Sequence, residues 1–443
     1  MLSQSEGQRI VEQALSLSHA DDVQVTLESS ASLHLRFARN LPSTSGSHTD
    51  HLLTVRSSFG QKSAATTTNQ LDPAALRAAV ERSEGLARLA PEDPERLSEL
   101  GAQQFAAVPA YDETAVRDGA RSMVTGSAVA IEQARERDLS AAGFSSNTER
   151  RTFIGNRRGL SGYHRATEVS FSETARSPSR GGSGWAASAS NHLGDVDYSA
   201  CSARAVDKAI RSAAPRALAP GKYVAILEPS CVASLMQMMV FSMNRRSADE
   251  GRSYFSEPGG GNKVGKRLFP EFVSLHSDPS AAHAPGSPWA LDGLAQTPRA
   301  WITNGVLENL FCERFWAQKN GREPIAPASN ILMSGGGGSL EQLIAGTKRG
   351  VLITSLWYIR FVDPRTLLLT GLTRDGVFWV EDGQIRHPVS NFRWNDSPIR
   401  VLANTDAMTA SVRASPRESV ATNLWVPALR VNDFELSSVS DAI

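Results

Sequence analysis

The sequence predicts an α+β protein, and three observations predict it. Helical spacing and period-2 alternation fall in separate blocks rather than in a regular strand–helix–strand repeat. One long apolar helical stripe sits near the middle of the chain, over 229–246. The residues beyond it are dominated by strand-like runs.

The elements follow in order. Ile10, Val11, Ala14 and Leu15 recur at helical spacing, and the stretch His19 to Asp22 ends that helix. Val23, Val25 and Leu27 alternate in one strand, Leu33, Leu35 and Phe37 in a second, and Leu53 with Val55 opens a third. Asp72-Pro73 is a helix start, because Asp can cap and Pro tolerates the first helical position. Leu76, Val80 and Leu86 give that helix its apolar stripe. The stretch 89–110, with Pro91, Pro94 and Pro109, reads as a linker or surface excursion. A long helix carrying Val116, Ala120, Met123, Val124 and Ile131 follows, then short strands with turns from Leu139 to Tyr198. The run 177–185 reads as a flexible Gly/Ser loop ending on Trp185, and a helix over about 199–213 closes this half. The expected division is an N-terminal α+β domain over 1–218 and a β-rich C-terminal domain over 219–443. The latter opens with strand Tyr223–Leu227 and the helix 229–246. In that helix Val232, Leu235, Met236, Met239, Val240 and Met243 form one stripe. The runs beginning at Val351, Leu367, Val377 and Ile399 are strand-like, and Asp382-Gly383 marks a hairpin.

Composition narrows the function. Forty-six Lys and Arg balance 46 Asp and Glu, so a generic nucleic-acid surface is not expected. No apolar run is long enough to span a bilayer. The N-terminus lacks a basic stretch followed by an apolar core, and Cys201, Cys231 and Cys312 form no CxxC pair; a reducing cytoplasm is the expected compartment.

Several clusters invite chemistry and fail on spacing. Gly335 to Gly338 with Ser339 before a helix lacks the GKS or GKT of a phosphate loop, so a mobile or close-packed loop is expected. His276, Asp278 and His283 are metal-ligand types, but Pro279 forces a turn between them. Cys312 sits among aromatic residues, the setting of an inert buried thiol. The pairs Arg150-Arg151, Arg157-Arg158 and Arg245-Arg246 read as solvated faces beside acidic neighbours. Met238 falls off the helical stripe.

Three blocks in the C-terminal half carry a family resemblance. They are Leu291-Asp292-Gly293 followed by Ile302 to Leu310, Gly338 to Ile344 with Arg349 to Thr354, and Thr370 to Val377 with Val380 to Ile385. Asn156 to Gly159, Gly182 to Trp185 and Phe269 to Glu271 add to it. In their order and spacing they resemble the TldD/TldE (PmbA) family. The resemblance implies a two-part α+β architecture and a cytoplasmic peptidase assembly of two kinds of subunit. The TldD kind holds zinc with an HExxxH helix and a later cysteine; the TldE (PmbA) kind shares the fold without the metal site.

Over 229–246 this sequence has neither His nor Glu, and no Cys follows Cys312. The sequence is therefore TldE-like, with a degenerate metal helix. The expectation is a chain with no cofactor of its own, zinc only in a TldD-type partner, and no catalytic residue. Gln237, Met238, Asn244, Arg245, Asp249 and Glu250 are the candidate contacts of a vestigial cleft or peptide. The expected partners are a TldD-type catalytic subunit in a heterodimer, or a second copy in a homodimer, together with a peptide substrate; neither nucleic acid nor membrane is expected. A stand-alone peptide-binding protein is the alternative, and a hydrolase using Cys312 or His276/His283 is a third reading.

Overall fold

The computed structural model describes residues 1–179, 181–418 and 423–441. Its N-terminal half is one six-stranded antiparallel sheet with helices on one face. The helices are α1 (Gln4–Leu17), α2 (Pro73–Leu89), α3 (Glu113–Arg135) and α4 (Tyr198–Arg211). The strands are β1 (Asp22–Ala38), β2 (Leu41–Phe59), β3 (Lys62–Thr68), β4 (Ser140–Asn156), β5 (Ser161–Arg176) and β6 (Ser183–Ser190), in the order β3-β2-β1-β4-β5-β6.

The strands are longer than expected. Val23 to Phe37 lie in one strand of 17 residues, Asp22–Ala38, not in two. Its six Val, Leu and Phe residues all have odd numbers, so they share a face, and Ser29, fully buried, carries the alternation across the polar middle. Likewise β4 and β5 run 17 and 16 residues where short strands were expected.

Helix caps follow the sequence. Asp72 accepts from the backbone N–H of Ala74 and Ala75, and Ser3 forms a capping box with Glu6. The buried stripes are partly different ones. Leu86, Val116 and Val124 are exposed; Ala79, Ser83 and Ala87 line the inner face of α2, and Ala115, Gly119, Gly126 and Ala130 that of α3. Small residues let these helices lie close on the sheet. A Cβ on Gly119 of α3 would run into the Asn147 side chain of β4, and one on Gly126 into the Tyr198 ring of α4. The stretch 90–112 forms no helix or strand beyond a single bridge between Gly101 and Gly159. Of the 177–185 loop, Ser183 to Trp185 belong to β6, and Arg180 lies outside the described residues.

The C-terminal half holds a nine-stranded and a six-stranded sheet. Strand Gly221–Leu227 lies inside the larger one, parallel to Arg349–Ile353 and antiparallel to Leu429–Ser440. The hairpin at Asp382-Gly383 is present, with both residues at positive φ. The run from Ile399 is instead a helix, Pro398–Ala403. Ser397 caps it, Pro398 takes its first turn, and Ile399, Val401 and Leu402 are buried at helical spacing.

The central helix is also corrected. It runs as α5 (Pro229–Phe241), breaks at Ser242 to Asn244, and resumes as α6 (Arg245–Asp249), which Asn244 caps. Its expected stripe is buried, but so are Cys231, Ala233, Ser234 and Gln237. The helix is core on nearly every side rather than amphipathic.

Candidate functional site

Three parts compose the candidate site: helix α5, the cleft between the two halves, and a segment, 412–418, that touches both.

Helix α5 is fixed at its start. Lys208 from α4 pairs with Glu228 at 2.6 Å, and the Glu228 N–H donates to the Ile353 carbonyl. Cys231, Val232, Leu235, Met236 and Met239 are fully buried. Met238 is half-buried against the same core. Gln237 is 6% exposed, and its Nε2 donates to the Glu418 carbonyl at 3.2 Å. The Cys231 thiol faces the Ile353 carbonyl at 3.4 Å, and burial pushes its pKa up, away from the thiolate a metal needs. Thioethers and one amide do not make a zinc site, which needs imidazole, thiolate or carboxylate donors. Among the described residues, no three His, Cys, Asp or Glu side chains are placed to hold a metal ion. The side chains of α5 do not fit zinc.

The remaining candidates sit apart from Gln237 and Met238. Asn244 accepts from the Ser247 N–H and donates to Glu313, both at 2.7 Å. The Arg245 N–H donates to the Phe311 carbonyl, and its buried Nε finds no partner among the described residues. Asp249 accepts from Trp316 Nε1 at 2.8 Å and from Asn262 Nδ2 at 2.5 Å. Glu250 accepts from Arg246 and Arg252. Arg246 also grips Glu95 of the 89–110 stretch with both terminal nitrogens, at 2.6 and 2.7 Å. This network fastens the linker to the C-terminal half. None of the six candidates lines the large cleft described next.

That cleft has a volume of about 690 Å³. Its floor is the face of the N-terminal sheet that carries no helix. Val23, Val25 and Leu27 of β1 are fully buried beneath α1 and α2, while Gln24, Thr26 and Glu28 alternate with them and face the cleft. Thr148 and Thr152 of β4 and His164 of β5 continue the floor. The opposite wall comes from the C-terminal half: Pro285 to Leu291, then Arg413 to Pro416 and Asn423. Trp289 packs on Phe105 at 4.7 Å and stands edge-on to His164 at 6.2 Å. Leu291 is 94% exposed at the rim. Burial pulls the His164 pKa down to about 4, so its imidazole is neutral at physiological pH.

The segment 412–418 was not singled out in the sequence. Arg413 projects into the cleft. Arg417 donates to Asp375, a fully buried carboxylate at positive φ that also accepts from the Ser183 hydroxyl of β6. The Arg417 guanidinium lies over Trp185 at 5.2 Å. Glu418 accepts from the Ile359 N–H at 3.0 Å, while its carbonyl takes the Gln237 amide. One short segment thus touches the cleft, the β6 strand and α5.

The other sequence candidates fall outside this site. The His283 ring packs on Trp425 at 4.4 Å, and Asp278 caps its own turn at Ser280. Burial raises the Cys312 pKa. The glycine loop is close-packed: a Cβ on Gly335 or Gly336 would stand 2.5 to 2.6 Å from the backbone of 408–411.

Models of three successive family domains match this chain. The PmbA/TldA metallopeptidase domain 1 matches 23–87, the central domain 92–213, and the C-terminal domain 220–438. The chain belongs to the PmbA/TldD family. Metalloprotease PmbA of Escherichia coli O157:H7 is 27% identical to it over 135 residues, a stretch that spans 29% of each chain. Three solved structures share the fold. TldE from Thermococcus kodakarensis superposes with a TM-score of 0.84 at 16% identity, covering 97% of this chain and 99% of its own. A proposed modulator of DNA gyrase from Bacteroides thetaiotaomicron gives 0.83 at 18% identity, covering 99% and 100%. Another from Thermotoga maritima gives 0.83 at 16%, covering 96% and 99%. No helix among the described residues is long and apolar enough to cross a membrane.

Proposed function

We propose that the chain is the non-catalytic, TldE-like subunit of a TldD/TldE-type zinc metallopeptidase, which holds peptide for a partner that carries the metal. The observation behind this reading is the make-up of α5. Its side chains are hydrocarbon, thiol, thioether, hydroxyl and one amide, most of them sealed in the core. A zinc peptidase needs a bound metal and a general base at an accessible position, and this helix offers neither. The chain's own work is then to bind and present substrate, with zinc in the partner. Three free cysteines, all buried, suit the cytoplasm expected for such an assembly.

The test is co-purification from the native cell, with metal analysis and peptide cleavage on each component and on the mixture. Recovery of an HExxxH-bearing relative, with zinc and cleavage only in its presence, is the expected result. Stoichiometric zinc and cleavage by this chain alone would overturn the reading. The second reading, a stand-alone or homodimeric peptide-binding protein, draws on the completeness of the cleft, whose floor and wall both come from one chain. Recovery of no chain but its own copies would favour it.

A further inference from the structure

Arg413 is a cation set into a wall without a counter-charge. Its Nη1 donates to the His283 carbonyl at 3.2 Å, and its Nη2 donates to the side-chain oxygens of Asn191 at 3.4 Å and Asn423 at 2.5 Å. Asn423 in turn donates to Asn191 and to the Pro285 carbonyl, and the Thr167 hydroxyl donates to the Asn191 carbonyl. The guanidinium is therefore held by both halves of the chain, on neutral oxygens only. It forms no ion pair among the described residues; Glu168 and Asp195 act on it only through space. Burial lowers its pKa to about 10, so it keeps its proton near neutral pH. A sequestered cation without an anion is costly, and a carboxylate supplies the missing charge together with a strong charge-assisted acceptor. Three of its five N–H groups are engaged, both on Nη2 and one on Nη1, which leaves Nε–H and the second Nη1–H, on separate edges of the guanidinium, each able to donate a single hydrogen bond to an anion.

The rest of the cleft is too large for a small anion. It has the size of a site for a ligand of several residues. Two other cations line it: Arg150, paired with Glu28 at 3.1 Å, and Arg56, which also borders the neighbouring groove beside Glu95 and Glu99. Hydroxyls of Thr26, Thr148 and Thr152, together with the neutral His164 imidazole, offer hydrogen bonds without charge. Trp289 and Leu291 offer an apolar surface at the rim.

We propose that this cleft is a carboxylate-anchored peptide site, in which Arg413 receives the free C-terminal carboxylate of a short extended peptide. The inference deepens the reading of the chain as a peptide-holding subunit and rests on it, but its test needs no partner. Titration of the full chain with N-acetyl-pentaalanine as the free acid and as the amide, followed by Trp fluorescence and calorimetry, reads it directly. The acid binds at least tenfold more tightly than the amide, and Arg413→Gln removes that preference. Because Arg413 also bonds across the two halves, the acid–amide comparison in the unaltered protein stands even where the variant fails to fold. Equal affinity for acid and amide, no binding of either, or a preference that survives in folded Arg413→Gln overturns the proposal. Binding of acetate as tight as the peptide acid also overturns it, since a free small anion would then be the ligand. A failed pull-down of a metal-bearing partner with a positive acid–amide difference would overturn only the subunit reading.

Discussion

Helix α5 and the cleft meet the same seven-residue segment, 412–418, yet they are built in opposite ways. In α5 the chain has spent its central helix on packing: Leu235, Met236 and Met239 are fully buried, and the one amide, Gln237, is tied to a backbone carbonyl. In the cleft, hydroxyls, an imidazole and an unpaired guanidinium are left facing open space. The first arrangement favours stability and offers nothing to a ligand. The second leaves polar groups partly unsatisfied, which a folded chain sustains when a ligand completes them. The difference is the reason the proposed peptide site is placed in the cleft and not on the helix the family resemblance draws attention to.

The comparison can be broken most sharply at the bond that joins the regions. Asp375→Ala leaves Arg417 sequestered without its carboxylate and is expected to cost about 3–5 kcal/mol, the usual penalty for halving a buried pair. Urea unfolding measures the loss, and limited proteolysis should show earlier cutting within 412–418. A loss below about 1 kcal/mol would mean that the segment is not held there.

The two regions themselves should differ in cost. Leu235→Ala empties a fully buried site in α5 and should destabilise by about 2–5 kcal/mol. Thr26→Ala on the cleft floor should change stability by no more than about 0.5 kcal/mol. Similar values for both would erase the distinction between a packed helix and an open floor.

A third prediction concerns the buried face of the same sheet. Glu173 of β5 is 1% exposed beneath α4, near Cys201 and Ser202, and burial holds its carboxyl up at about 7 against an ordinary 4.5. Between those values the unfolded chain has released its proton and the folded chain has not. Stability is therefore full at the acid end of this window and falls as pH rises through about 7. Glu173→Gln should flatten that slope in urea midpoints taken across the window. An unchanged slope would assign the effect elsewhere.

The smallest expected effect is a null one. His164 is neutral above about 4 and Arg413 is charged below about 10, so binding of the peptide acid should be flat between those limits once the ligand is ionised. A step in affinity with a midpoint near 6.5, measured by calorimetry across pH, would show a solvated, titrating His164 and a wetter cleft than the structure describes.

Much of the framework was legible because local rules and global fold agree. Asp72-Pro73, Asp382-Gly383 and the alternation of Val23, Val25 and Leu27 each name an element without reference to anything distant. The misreadings share one cause, which is that burial is decided by neighbours. Leu86 and Val124 are apolar and exposed, because Ala and Gly at adjacent positions are what the sheet can accept at close approach. The run from Ile399 reads as a strand because four β-favouring or neutral residues in a row carry no period, whereas the Ser397-Pro398 pair starts a helix there. Of the candidate residues, Asn244 is tied to Glu313 and Asp249 to Trp316, while Glu250 holds the Arg246 that grips Glu95; Glu313, Trp316 and Glu95 lie far off in sequence.

By itself, then, the sequence determined the α+β elements, the caps and turns that bound them, and the absence of His and Glu over 229–246, since each depends on residues near one another in the chain. Only the tertiary structure decided that α5 is sealed and that a polar sheet face meets a wall from the other half. It alone made Arg413 a cation with hydrogen bonds but no ion pair among the described residues. The reason is physical: a side chain's charge state and its value to a ligand depend on what surrounds it in space, and Arg413 is surrounded by Asn191, His283 and Asn423, which no local pattern brings together.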